Sequence, residues 1–216
     1  MSDLPRVDIV IPTIGRERLE LAIVSALTQT YPNVRPVVLS DGPNAARAMV
    51  KPYLGRRGLV FLETPARLGH WGDPLRASWN ASAVAAPYIK FLDDDDILRP
   101  HCVELMMAPI LANPDVKLTY CQLASTVWSG NAILRDRFVG AEFRENEVGN
   151  GNILYAREIA ATVPYSTGRR STDWTWIAAI TAGLDPKQIV SVPHALYVSD
   201  CKHGDNYDRF HREGFA

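Results

Sequence analysis

At 216 residues and 24.0 kDa, with 47% hydrophobic residues, the chain has the material for a substantial core, as one large domain or two small ones. A formal net charge of −1 argues against general electrostatic attraction to nucleic acid or anionic lipid, and no window approaches the ~20 apolar residues that span a bilayer. The opening MSDLPRVDIVIP carries an acid before its apolar stretch and does not read as a secretory signal. Cys102, Cys121 and Cys201 are far apart and odd in number, which fits neither a disulfide framework nor a close metal-ligand pair. The expectation is a cytoplasmic protein with reduced thiols, no transmembrane segment and no nucleic-acid partner.

In chain order, Val7 to Ile11 predicts a strand ended by Pro12, and Arg16 to Thr30 a helix with Leu19, Ala22, Ile23, Ala26 and Leu27 at helical spacing. Tyr31-Pro32-Asn33 breaks that helix. Val34 to Ser40 predicts a second strand closed by the turn Asp41-Gly42-Pro43, and Gly58 to Glu63 a third. Pro74 to Ala86 predicts a helix with Pro in its first turn, and Tyr88 to Asp93 a fourth strand. Further on, His101 to Leu111 reads as a helix, Val116 to Val127 and Ala132 to Val139 as strands, Arg144 to Asn152 as a loop. Ser171 to Ala182 reads as a helix with Ser171 as N-cap and Gly183 as stop. Such alternation predicts an α/β fold in which helices cover a sheet. Ligands of open α/β sheets bind beyond the carboxyl ends of the strands, here Pro12-Thr13, Ser40-Asp41 and Asp93 to Asp96.

The densest chemistry lies at the fourth strand, where Tyr88-Ile89-Lys90-Phe91-Leu92 runs into four consecutive aspartates, 93 to 96. Alternate side chains of a strand share a face, so Asp93 and Asp95 are expected to converge on one divalent cation. The competing reading is an exposed acidic loop leading into the helix after Pro100.

DIVIPTIGR at 8 to 16, LSDGP at 39 to 43, RLG at 67 to 69, FLDDDD at 91 to 96, GNILYAR at 151 to 157, STDW at 171 to 174 and His203 together resemble the nucleotide-sugar glycosyltransferases of the GT-A fold, specifically the large inverting family 2. The resemblance covers nearly the whole chain, in order. It implies one GT-A domain over residues 1–216: a Rossmann-like nucleotide-binding half to about residue 115, with a mixed central sheet, fused to an acceptor and catalytic half from about residue 116.

By the same resemblance, Pro12 and Thr13, with Arg16, line the nucleoside-diphosphate pocket. Asp41 hydrogen-bonds the base, as a carboxylate can from an imino N–H; otherwise it only opens its turn. Arg67 contacts the nucleotide or its phosphates, with Arg76 and Asn80 as further candidates. Asp93 and Asp94 belong to the donor site, and Asp95 is the direct ligand of Mn²⁺ or Mg²⁺, a hard cation that bridges one or two carboxylates and substrate phosphates. His203 resembles the histidine that returns to the metal or phosphates, with His194 competing for that role. Asp173 matches the family's base, although Thr172 stands where the family often has an acid. In the first turn of a helix Asp173 is expected to be held ionised by the helix dipole, or simply to stabilise that terminus. Gly149 and Gly151 match a glycine loop near the acceptor, Asn152 follows them, and Trp174 and Trp176 offer flat faces to an acceptor sugar.

The function implied is metal-dependent, inverting transfer of a sugar from a nucleoside-diphosphate donor, a UDP-sugar first, to a hydroxyl of a glycan, protein or small molecule. The alternatives are a non-catalytic nucleotide-sugar-binding protein of the same fold and a sugar-phosphate nucleotidyltransferase. The second would carry a Gly-rich basic signature after the first strand, and Pro12 to Arg16 holds one glycine.

Overall fold

A computed structural model describes residues 4–43, 46–129, 132–145, 147–161, 163–165 and 172–199. His203, Cys201 and the expected N-cap Ser171 lie outside the described residues. Among the described residues, strands β1 (Val7–Thr13), β2 (Val34–Ser40), β3 (Val60–Glu63), β4 (Tyr88–Phe91), β5 (Ile97–Leu98), β6 (Leu118–Ser129), β7 (Ala132–Val139), β8 (Ile153–Ala156) and β9 (Ile189–Ser199) form one mixed sheet. Its order is β3-β2-β1-β4-β8-β6-β9-β5, with β7 paired to β6. The block β3-β2-β1-β4 is parallel, whereas β8 runs antiparallel to both β4 and β6. The helices are α1 (Leu19–Leu27), α2 (Ala46–Val50), α3 (Asp73–Ala81), α4 (Cys102–Ala112) and α5 (Thr172–Thr181).

The period of two along β1 decides which residues meet which helices. Val7, Ile9 and Ile11 enter a core shared with α1, α2 and α4, while Val10 joins a second core with Leu75 and Trp79 of α3 and Trp176, Ile177 and Ile180 of α5. Helices thus cover both faces of the sheet, which is why β1 is buried at all seven positions and reads as a near-continuous apolar run.

Several expected boundaries move. Pro12 lies inside β1, and α1 is shorter than the expected 16 to 30. Helix α3 ends at Ala81, with Ser82 already extended. Strand β4 ends at Phe91, and a turn closed by the Asp96 N–H on the Asp93 carbonyl at 3.2 Å follows it. Two strands absent from the sequence reading fill the second half. Strand β8 is a four-residue run buried throughout. Strand β9 contains Pro193, which the ladder skips: Cys121 pairs with Val192 and Gln122 with Ala195, so Pro193 and His194 sit in an irregularity of the register. No helix among the described residues is long and apolar enough to cross a membrane.

Candidate active site

Because β1, β2 and β4 are parallel neighbours, their carboxyl ends open on one edge. A cavity of about 680 Å³ lies there, within the ordinary range for small-ligand sites. Thr13 ends β1 and is buried; its hydroxyl donates to Asp94 Oδ2 at 2.6 Å and accepts the Gly15 N–H at 2.8 Å. Pro12 presses on Gly72, where φ is +84° and an added Cβ would stand 2.8 Å from the proline Cβ. Only glycine suits that position.

Asp41, at the end of β2, spends both oxygens on backbone: Oδ1 accepts from Leu68 N–H at 2.6 Å and Oδ2 from Gly69 N–H at 2.9 Å. It clamps the loop carrying Arg67, whose exposed side chain lines the cavity. His70, on the same loop and also lining the cavity, has φ +54°, an uncommon conformation for a residue with a Cβ.

The four aspartates after β4 serve four different partners. Asp93 pairs with Arg76, Asp94 accepts from Thr13, Asp95 pairs with Arg16, and Asp96 accepts from the Tyr197 hydroxyl at 2.6 Å. The expected convergence of Asp93 and Asp95 required β4 to continue past Phe91, and it does not. Arg16 also lies 3.4 Å from Asp94. Burial pushes the Asp94 carboxyl above the ordinary range; the Thr13 hydrogen bond and Arg16 pull it back, and Asp95 and Asp93 add to the rise.

Arg76 belongs to this site more deeply than the sequence reading held. It is buried on α3, within 3.3 Å of Asp73, paired with Asp93, and 5.6 Å above the Phe91 ring. Burial alone would weaken its hold on the proton, but Asp93, Tyr165, Asp173 and Asp73 outweigh that and tighten it. Asn80, by contrast, accepts from the Tyr155 hydroxyl at 2.7 Å inside the core.

Asp173, in the first turn of α5, lines the same cavity. Its carboxyl is raised above the usual range, chiefly by burial, with Arg76 opposing, Asp93 adding and the Asn150 N–H opposing. Desolvation of the charged form thus outweighs the groups that stabilise it at the helix terminus. A half-buried acid on the cavity, with its proton affinity raised, suits general-base work.

The turn Gly149 to Asn152 departs from its expected acceptor role. Asn152 is buried, with Nδ2 donating to the Cys121 carbonyl and Oδ1 accepting from Gly149 N–H, each at 2.9 Å. The close approach that Gly151 permits is by Tyr197, whose ring would lie 2.4 Å from an added Cβ. Trp176 is a core residue stacked on Tyr165 at 4.7 Å, and half-buried Trp174 meets Phe143 edge-on at 5.5 Å. His194 is exposed and does not line the cavity.

Among the described residues no three His, Cys, Asp or Glu side chains are gathered into a ready-made metal cage. A hard cation completed by water and phosphate oxygens needs none. Asp95, lining the cavity with its side chain 18% exposed, fits as one oxygen donor of such a set.

A family model described as glycosyl transferase family 2 matches residues 8–174. Among solved structures, S. aureus TarS 1–349 is similar at 13% identity and a TM-score of 0.73, covering 89% of this chain and 60% of that one. The same TarS segment in complex with UDP-GlcNAc matches at 14% identity and 0.72, covering 90% and 58%. TarS in a longer structure is covered over 38% of its length, so the chain spans less than two thirds of each of these TarS structures. A search of curated proteins by sequence finds no significant match.

Proposed function

The chain belongs to glycosyl transferase family 2, glycosyltransferases of the GT-A fold, and we propose that its reaction is a metal-assisted, inverting transfer of a sugar from a nucleoside diphosphate to an acceptor hydroxyl. The observation that carries this reading is the placement of Asp173, a carboxyl with raised proton affinity, on the same cavity as Thr13, Asp41, Arg67 and the acidic turn. Uracil is the first base to test, because TarS has been solved with UDP and with UDP-GlcNAc.

Pro12, Thr13 and Asp41 receive the nucleoside, and Asp93 the ribose or donor sugar. Six aspartates line the cavity against three arginines, a balance that repels a diphosphate unless a cation joins it. Mn²⁺ or Mg²⁺, held by Asp95 and by His203 from outside the described residues, would supply Lewis-acid neutralisation of the diphosphate charge. Arg67, on its clamped loop, faces the leaving group, and Arg16 exchanges an acid for a phosphate oxygen. Asp173 takes the proton of the acceptor hydroxyl as that oxygen bonds to the anomeric carbon. The bond from that carbon to the diphosphate oxygen breaks with its electron pair on the diphosphate, and the carbon inverts. The acceptor is a hydroxyl of a glycan, protein or small molecule.

The test is a thermal-shift panel of UDP, GDP, dTDP and CDP, each with and without Mn²⁺, followed by transfer assays. A nucleotide at 100 times its Kd adds about 2.7 kcal/mol of stability. UDP with Mn²⁺ is expected to respond most, and a response to none of the four sinks the donor reading. Asp173→Asn is expected to keep the nucleotide response and lose turnover by about 10²–10⁴-fold. Wild-type turnover in that variant would remove Asp173 as the base.

A further inference from the structure

We propose that Asn150 is the positioning residue for the base, and that the turn Gly149 to Asn152 sets where Asp173 stands relative to the donor-binding acids. The inference rests on the reading of Asp173 as base. Asn150 is 3% exposed. It grips Asp173 twice, with its backbone N–H on Oδ2 at 3.2 Å and its side-chain Nδ2 on Oδ1 at 2.5 Å. One donor on each oxygen fixes the plane of the carboxylate, and each oxygen keeps a lone pair for the acceptor's proton. Gly149 makes the approach feasible, since a Cβ there would stand 3.3 Å from Asp173 Oδ2. Nδ2 is in turn steadied by the Tyr165 hydroxyl.

The turn is fixed to the acidic loop as well. Lys90, wholly buried in β4, donates to the Gly151 carbonyl and lies 5.0 Å from the centroid of the Tyr197 ring. That ring rests on Gly151, and its hydroxyl accepts the Asp93 N–H at 3.3 Å while donating to Asp96. Contact therefore runs unbroken from Asp93 through Tyr197 and Gly151 to Asn150 and the base. The base and the acidic turn are thereby held in one register. Reacting groups must be placed to within about 0.5 Å, and the residues that support them determine whether they are.

Asn150→Ala removes the side-chain donor and leaves the backbone N–H. The expected result is a kcat lowered by about 10²-fold, the loss typical of a misplacement near 1 Å, with UDP affinity unchanged by calorimetry. The groups facing Asp173 are Arg76 from α3, Asp93 from the acidic turn, and Tyr165. With these unchanged, loss of a hydrogen bond to the ionised carboxylate moves the acid limb of kcat/KM to higher pH. Asn150→Ser, which keeps a donor, is expected to recover part of kcat, and it supplies the reading if the alanine variant does not fold. Wild-type kcat and pH profile in folded Asn150→Ala overturn the proposal, as does an equal loss of UDP binding, which marks general collapse of the cavity. Asp173→Asn is assayed alongside. If it is inactive while Asn150→Ala is normal, only the role of Asn150 falls; if it stays active, the base reading falls first.

Discussion

The two ends of β1 handle buried charge in opposite ways. Near its start, Asp8 is fully buried and accepts four hydrogen bonds: Arg35 Nε at 2.8 Å and NH2 at 2.7 Å, Trp79 Nε1 at 3.0 Å, and Ala86 N–H at 2.8 Å. Beyond its far end, acids outnumber cations around the cavity, and burial drives Asp94 and Asp173 toward the proton. One strand thus carries a carboxylate whose partners are all internal and leads to carboxylates that line a cavity. Charge at the base of the sheet ties β1, β2 and α3 together. Charge at the rim is left for ligands to complete, at a cost in stability that families of enzymes commonly carry at their sites.

The comparison breaks first at Asp8. Asp8→Ala leaves Arg35 Nε, the Trp79 indole N–H and the Ala86 N–H without their acceptor, while Arg35 NH2 keeps the Val84 carbonyl. Removing one partner of a buried pair costs about 3–5 kcal/mol; the lower end is expected here, since the Arg35 side chain is 15% exposed and water reaches it. Urea denaturation reads the loss, and the folded fraction should bind nucleotide as before. A cost under about 1 kcal/mol would make Asp8 no better integrated than an exposed ion pair.

Gly151→Ala sharpens the comparison at the rim, with a smaller effect. The added methyl must displace the Tyr197 ring, which is 1% exposed and held at its hydroxyl by Asp96, so the ring has little freedom to yield. Overpacking of this kind costs about 1–3 kcal/mol. If Gly151 instead faced an acceptor across open space, the variant would keep its stability and change only the KM for acceptor.

These positions also show what the sequence could carry. The parallel block and its acid-bearing edge were legible because β1, β2 and β4 are apolar runs that stop at polar residues on one side of the sheet. Strand β8 was not, since Ile153 to Ala156 is buried at every position and too short for its type to be read without a neighbour. Strand β9 was hidden by Pro193, which argues against a strand unless the ladder skips it. At the site, Asp173 stood out through its motif, whereas Asn150 could not. The bond joining them links a loop to a helix 23 residues later, and no period or spacing marks such a pair. Asn152 was misplaced for the same reason: whether a loop amide turns to a cavity or to Cys121 is decided by the fold.

The smallest effect is a stability gain at the rim that depends on pH. Asp173 binds its proton more tightly folded than unfolded, so in the window between the ordinary aspartate range and its raised value the native state holds more protons than the unfolded one. Stability associated with this group is then full below the unfolded pKa and is lost as pH rises through the folded pKa. Asp173→Asn deletes that loss while keeping the shape. The variant's Tm minus that of wild type should therefore be near its minimum at pH 4, rise through the window, and level off above it, in protein free of nucleotide. Asn retains an Oδ1 for the Asn150 donors only in one orientation of its amide, which trims the gain without altering its slope. A difference that instead falls with rising pH would mean that the ionised carboxylate is stabilised on folding, and the rim would then resemble the Asp8 end of the strand.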